Sequence, residues 1–594
     1  MEKRVFLAIF LSFVVLALYQ MFLAPPPEPA LVPPAASGPA SAGTGGPAAP
    51  TGPAPTTPQA APDTAAPASG RDAATPVPAT AEGPQAAPLV ADTSAREIVV
   101  ETEYVRAVFD TRGAVLKSWQ LKKFSQTQGQ TAFLELVPPD LPDGYVKPFT
   151  LATTDASLTT TMAQALFKPS SDGPLTLGTA AGTLTFQYSD TSGLNVRKTF
   201  HFQPEDKPYL LNVEAAIDVK GTALPVTIRW GPALHDGHHP RGARQVPVRA
   251  LLFHDGSAER IAASTLAETP HYEGDYAFVG VDEQYFMTTA LPGGKRLSVD
   301  YEPISIPSPD PGETTPRTFI AYRLNLQPGM GALPFYLGPK DFDVLRAVDP
   351  QFVRAIDFGI FAWLVVPMLQ ALKWLHGYVG NYGWSIVLLT VLINLVMLPL
   401  RHRSMVSMRK MQALQPEIKA IQERYAKYKI TDPERQKMNT EMMALYKQKG
   451  VNPASGCVPM LLTMPVLFAF YAMLQVAIEL RHAPFFGWIH DLSTMDPFYV
   501  WPLLMGATMF WQQRITPTTA DPTQAKIFMM MPVIFTFTFL WFPVGLVIYW
   551  LTNNLMAIGQ QYVTNRLMGT PPARVLRASG PPKGGRAGPA GGRS

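Results

Sequence analysis

Apolar and polar positions divide the 594-residue chain into three regimes. The first is an unbroken apolar run at 5–24, VFLAIFLSFVVLALYQMFLA, behind Lys3 and Arg4. About 20 apolar residues rising 1.5 Å each are enough to cross a bilayer core. The run meets PPPEP directly, with no A-x-A-like cleavage site, so residues 1–24 are expected to form an uncleaved anchor. The two cations ahead of it favour a cytoplasmic N-terminus.

The second regime, 94–345, alternates apolar and polar with period two. REIVVE, YVRAVFD, LNVRKTFHF, YLLNVEAAIDV, PVTIRW and RTFIAYRLNL are its clearest runs. In the last, Thr318, Ile320, Tyr322, Leu324 and Leu326 share one face. Such runs between Gly, Pro and Asp breaks predict an antiparallel β-sandwich. Between this domain and the anchor, residues 25–93 are rich in Pro, Ala, Gly, Ser and Thr and hold no aromatic residue. A segment of that composition buries too little apolar surface to offset its ordering entropy, so it is a disordered linker.

From residue 355 the pattern turns membrane-like. FGIFAWLVVPMLQALKWLHG carries Gln370, Lys373 and His376 and reads as an interfacial amphipathic helix within 346–380. Spans are expected at about 384–400, 456–479, 498–512, 526–542 and 544–563. Charge fixes their order: residues 401–454 hold 12 Lys/Arg against 5 Asp/Glu, which makes that loop cytoplasmic. With one anchor already crossed, a single span then lies between the β domain and that loop. Six spans satisfy every loop; the β domain then lies on the outer side of the membrane, its lack of cysteine compatible with a periplasm, and both termini are cytoplasmic. The tail, 569–594, is disordered and purely basic.

Within 384–400, Thr390, Asn394, Met397 and Arg401 follow at i, i+4, i+7 and i+11 and line one face. Asn394 and Arg401 are two turns apart, roughly 10 Å, so Arg401 sits at the cytoplasmic mouth and can snorkel upward. Pro399 is expected to break this span from a basic helix beyond it. On the last span Tyr549, Asn553 and Gln560 make a second stripe, with Asn554 and Gln561 beside it. Two amide-bearing stripes predict a hydrophilic cavity inside the bilayer; interhelical hydrogen bonding is the plainer reading of either one alone. The cytoplasmic loop 401–450 reads as a helical hairpin. Pro416 kinks the first arm, and Asp432-Pro433 opens the second. Met405, Met408 and Met411 punctuate one arm, Met438 and Met442 the other. Of 24 methionines, 18 lie between 397 and 568, and flexible thioethers suit surfaces that accept many apolar partners. Packing between the arms would use the same residues.

Composition removes several classes. Cys457 is the only cysteine, so no intrachain disulfide and no Cys-based metal site exist. There is no phosphate-binding loop and no dinucleotide fingerprint. His235, Asp236, His238 and His239 in HDGHHP match no zinc spacing and read as a surface loop. No Asp, Glu or Lys lies in the interior of a predicted span, Glu479 and Lys526 sitting at span ends, which disfavours an ion-coupled transporter. A carbohydrate-active enzyme tethered by a membrane module is the rival; paired carboxylates in a cleft of the β domain would mark it.

GNYGWSIVLLT, LQPEIKAIQERY, EMMALYKQKGVNPASGCVPMLLTMPVLFAFYAML, ELRHAPFFGWIHDLSTMDPFYVWPLLMGATMFWQQ and MMMPVIFTFTFLWFPVGLVIYWLTNNL resemble the bacterial insertases of the YidC/Oxa family. TRGAVLKSWQL and FYLGPKDFDVL are similar to the periplasmic β-sandwich of its Gram-negative members. The resemblance implies a five-helix insertase core at 381–568 that inserts and folds inner-membrane proteins, alone or with the Sec translocon. It implies no cofactor, no metal and no covalent catalysis. Nascent membrane proteins are the implied partners; the basic charges of the hairpin and tail point in addition to the ribosome and anionic lipids, and nothing points to DNA. The family typically places an arginine in the groove helix where this chain has Asn394; here Asn394 is expected to supply hydration and Arg401 charge from below.

Overall fold

The computed structural model describes residues 86–125, 132–139, 144–232, 234, 247–307, 316–326, 330–428, 432–451, 458–515 and 522–568. The expected anchor at 1–24, residues 25–85 of the linker, HDGHHP and the tail at 569–594 lie outside these residues. Packing divides the chain into two units, 1–84 with 425–437 and 85–424 with 438–594. In the first, the rings of Tyr425 and Tyr428 lie 6.2 Å apart. The Asp432 carboxylate accepts from the Glu434 amide at 3.0 Å, capping the helix that opens at Pro433.

The second unit contains a β domain of three sheets. The largest has eleven strands, and its main path runs through Gly182–Asp190, Leu194–Phe202, Leu210–Val219, Leu333–Pro339, Phe286–Ala290, Phe278–Asp282 and Arg249–His254. A five-stranded sheet has the order His271–Tyr276, Lys295–Ile306, Arg317–Leu326, Val226–Trp230, Thr150–Ala152. The third is built around Val105–Asp110 and Val115–Ser125. Pairing is antiparallel except where Glu97–Thr102 meets Leu175–Gly178. Alternation placed the core correctly: Ile320, Tyr322, Leu324 and Leu326 are buried. Thr318 of that face is exposed, and Phe319 and Ala321 on the other face are also buried, because this strand is covered on both sides near its start. Aromatic rings fill the space between sheets: Phe149 meets Trp230, Phe335 and Phe200 edge-on at 5.3, 5.0 and 5.5 Å.

Eleven helices are described: α1 (Ala156–Gln164) and α2 (Ala263–Glu268) in the β domain, α3 (Phe342–Val348) closing it, then α4 (Ala362–Val379), α5 (Tyr382–Ala413), α6 (Gln415–Arg424), α7 (Pro433–Gln448), α8 (Val458–Val476), α9 (Val500–Ile515), α10 (Pro522–Phe539) and α11 (Val544–Met568). Among the described residues two helical stretches, Gly359–Val379 and Tyr382–Ala413, are long and apolar enough to cross a membrane; Thr463–Val476 and Met529–Phe539 are shorter apolar helices. The expected break at Pro399 does not occur. α5 runs straight through it for 32 residues, losing one N–H donor while α4 and α11 pack alongside. The chain breaks instead at Leu414, which places Pro416 in the first turn of the next helix, where its missing N–H costs no helical hydrogen bond.

Candidate functional site

The short GNYG stretch sets the direction of α5. Gly380 ends α4 in the left-handed region at φ 68°. Asn381 then caps α5 by accepting from the Trp384 amide at 3.1 Å, while its own amide donates to the carbonyls of Pro484 and Phe485. A β-carbon at Gly383 would lie 2.1 Å from the Phe485 ring, so only glycine lets α5 approach this loop. From there α5 packs against α4 and α11, α8 touches α4, α5 and α11, and α9 packs on α10 and α11.

One side chain joins three of these helices. Arg401 Nη1 donates to Asn394 Oδ1 two turns back on α5. Its Nη2 donates to Asn553 Oδ1 on α11 at 3.2 Å and to Thr463 Oγ1 on α8 at 3.4 Å. The guanidinium has therefore climbed the helix: the charge stands at the level of Asn394, not below it. Asn394 is buried and also donates to the Thr390 carbonyl at 2.8 Å, and the Thr390 hydroxyl donates to the Ile386 carbonyl at 2.7 Å. Thr390, Asn394 and Arg401 thus form one continuous polar stripe, with Met397 half-buried on the same face. Among the described residues every acceptor bonded to Arg401 is neutral.

The second stripe divides. Asn553 faces Arg401, whereas its neighbour Asn554 is buried against α9, donating to Thr508 Oγ1 at 3.2 Å. Tyr549 is buried and stacks on Phe470 of α8, ring centres 4.3 Å apart, so it packs the bundle above the amides. Gln560, two turns beyond Asn553 along the same face, is half-buried. Two turns further along α5, Arg409 Nη2 donates to Asn565 Oδ1 of α11, which also accepts from Gln561 at 3.0 Å. Sequence reasoning missed Thr463, Arg409 and Asn565. The lone threonine in the apolar run PMLLTMPVLF was the available signal for the first.

The methionines of the hairpin are not alike. Met411 is buried with Leu414, Ile418 and Val451, and Met442, Leu445 and Tyr446 of α7 pack against that cluster. Met438 is buried, Met405 and Met408 are half-buried, and Met443 is 57% exposed. At the opposite end, Lys373 of α4 pairs with Asp343 of α3 and with Glu479 at 2.9 Å, with Asp341 at 3.9 Å. Among the described residues no group of three His, Cys, Asp or Glu could hold a metal ion.

Two family models match. Residues 97–371 match the YidC periplasmic domain, and residues 374–571 match the 60 kDa inner membrane protein. The chain is 35% identical over 589 residues to a membrane protein insertase YidC of Syntrophus aciditrophicus, covering 95% of this chain and all of that protein. It is 37% identical over 508 residues to the insertase of Oleidesulfovibrio alaskensis, covering 81% and 88% of the two. A crystal structure of an active YidC insertase with the first transmembrane domain resolved aligns with a TM-score of 0.33 at 18% identity, over 81% of this chain and 95% of that one.

Proposed function

The chain belongs to the YidC family of membrane protein insertases, and from that premise we propose that the polar face shared by α5, α8 and α11 is the groove through which it inserts and folds inner-membrane proteins. The observation that carries this reading is the Arg401 guanidinium, half-buried among apolar helices and bonded only to neutral groups among the described residues. A cation in low dielectric without an anion beside it attracts acidic groups on an incoming segment far more strongly than one in water. The family's groove-helix arginine is absent at Asn394, and Arg401 returns a guanidinium to that level from two turns away.

The physical task is modest for an apolar span and hard for its flank. Moving about 20 apolar residues from water into lipid is downhill. A charged side chain at the bilayer midplane costs roughly 2.5–3.5 kcal/mol on insertion scales. A hydrated slot that reaches Asn394 shortens the apolar path for the flank, while the apolar segment leaves toward lipid beside it. No covalent step and no nucleotide hydrolysis are required. Exposed Met443 and half-buried Met405 and Met408 offer a soft surface on which apolar segments are received.

Six spans with both termini cytoplasmic agree with the positive loop 401–454. The ion pairs from Lys373 to Asp343 and Glu479 support α4 as an interfacial helix, because they tie its middle to the β-domain side. The basic hairpin and tail favour ribosomal RNA and anionic lipid as partners, with the Sec translocon as a working companion. The test uses the full-length protein in proteoliposomes and a single-span substrate with an acidic or a neutral N-terminal tail. Arg401→Ala is expected to cut insertion of the acidic tail about tenfold, the worth of one charge-assisted contact, and to affect the neutral tail less. Arg401→Lys retains part of the activity. Equal insertion of both tails by Arg401→Ala would overturn the role given to this residue, and cysteines at 394 and 553 closed to aqueous reagents would overturn the groove itself.

A further inference from the structure

The β domain carries a cleft that the insertase reading does not use. It lies on the five-stranded sheet, has a volume of about 420 Å³, and is walled on one side by the loop Gly144–Val146. Register explains its floor. Arg229 stands directly opposite Arg323 on the neighbouring strand, and Arg323 stands opposite Asp300 on the next. Glu302, two residues along from Asp300, points to the same face and is exposed. One row across three strands therefore reads Arg, Arg, Asp, with a second carboxylate beside it.

Two like charges directly opposite on a sheet have β-carbons roughly 4.5–5.5 Å apart and destabilise it. A structural arrangement would relieve this by an ion pair. Among the described residues neither Arg229 nor Arg323 lies within ion-pair distance of a carboxylate, although acidic side chains line the same cleft. Asp300 is engaged elsewhere, accepting from His271 at 2.8 Å and from Asn325 at 3.2 Å. Burial, and then the neighbouring Arg323, hold the Arg229 guanidinium below its ordinary range, while Glu302 in the same cleft pulls the other way.

We infer that this cleft is a binding site for a small hydroxyl-bearing oxyanion, its phosphate or carboxylate clamped by Arg229 and Arg323 and a hydroxyl donating to Glu302. Guanidinium forks hold such groups by paired N–H donors, and two of them facing one cavity match the charge of a phosphate. Carboxylates beside them accept hydroxyl hydrogens and repel a bare anion, which selects for a ligand carrying both functions. A glycerol-phosphate lipid headgroup and a soluble sugar acid share this chemistry.

Calorimetric titration of the full-length protein in detergent tests the site with four probes: glycerol phosphate, glucuronate, inorganic phosphate and glucose. Glycerol phosphate or glucuronate is expected to bind at least about tenfold more tightly than inorganic phosphate, and glucose more weakly still. The arm that binds better identifies the source. The Arg229→Gln, Arg323→Gln double variant is expected to lose at least about tenfold in affinity with its thermal transition kept or raised, since a like-charge pair has been removed. Glu302→Gln is expected to weaken the hydroxylated probes and leave inorganic phosphate unchanged or improved. No binding of any probe at millimolar concentration, or unchanged affinity in the folded double variant, overturns the assignment.

Discussion

Arg401 and Lys198 are both long cations drawn into apolar surroundings, and their partners differ in a way that decides what each can do. Lys198 is fully buried, and its Nζ donates to the carbonyls of Gly113, Ala114 and Phe149 at 3.0, 2.7 and 2.7 Å. All three ammonium hydrogens are used, so the group ties strands together and has nothing left to offer a ligand. Lys198→Met keeps the volume but strands three buried acceptors. The expected cost is about 3 kcal/mol or more, read as a lowered thermal transition of the full-length protein; a change within about 0.5 kcal/mol would show that water replaces the amine. The two residues also mark how far the sequence was legible. In LNVRKTFHF period two puts Lys198 on the same face as Val196, Phe200 and Phe202, and that face is buried. The position was readable, while the residue type argued for solvent. For Arg401 the helical spacing to Asn394 was readable, but the upward rotamer depends on Asn553 and Thr463, which come from helices distant in sequence.

Two prolines with the same local chemistry act differently at the scale of elements. Pro399 sits inside α5, flanked by exposed Leu398 and Leu400, and the helix continues past it. Pro416 sits at the second position of α6, where its missing N–H has no helical acceptor to lose, and the kink falls ahead of it. Local propensity gave both as breaks; packing of α4 and α11 against α5 overrides it at Pro399. The turn at Leu414 in turn lets Met411, Leu414 and Ile418 meet Val451 and the inner face of α7. Removing a buried methionine from this small cluster costs about 2–5 kcal/mol of docking free energy. Met411→Ala is accordingly expected to speed amide exchange throughout α7. Met443→Ala, at an exposed position, is expected to leave exchange unchanged and to reduce crosslinking to nascent apolar segments. Faster exchange in both variants would mean that Met443 also packs.

At the scale of the molecule, apolar packing continues from the β domain into the helical core, and polar contacts around residues 475–482 add to it. Gln284 donates to the Gln475 carbonyl at 2.8 Å, and Arg481 Nη1 donates to the Ser125 carbonyl at 3.1 Å. His482 Nδ1 lies 3.4 Å from Ser125 Oγ, with its backbone at φ 58°. Burial, and then the adjacent Arg481, push the His482 imidazole down from 6.5 to about 4. A base with a depressed folded value resists protonation in the docked state. As pH falls below 6.5 the undocked histidine takes up a proton that the docked one refuses, so docking is fully stable above that value, weakens toward pH 4 and levels off below it. Asp491, whose carboxyl burial raises, acts in the opposite sense as it is neutralised. The slope from His482 therefore has to be isolated by difference. Limited proteolysis of the wild type between pH 7 and pH 4.5 is expected to release the β domain progressively. His482→Gln keeps a polar side chain of similar reach without the titration, and is expected to flatten the change while matching the wild type at pH 7. If the two profiles coincide, the junction takes its pH response from the carboxylates. The insertase core would then be coupled to its periplasmic domain through Lys373, which bridges Asp343 of α3 and Glu479, and not through the 481–482 turn.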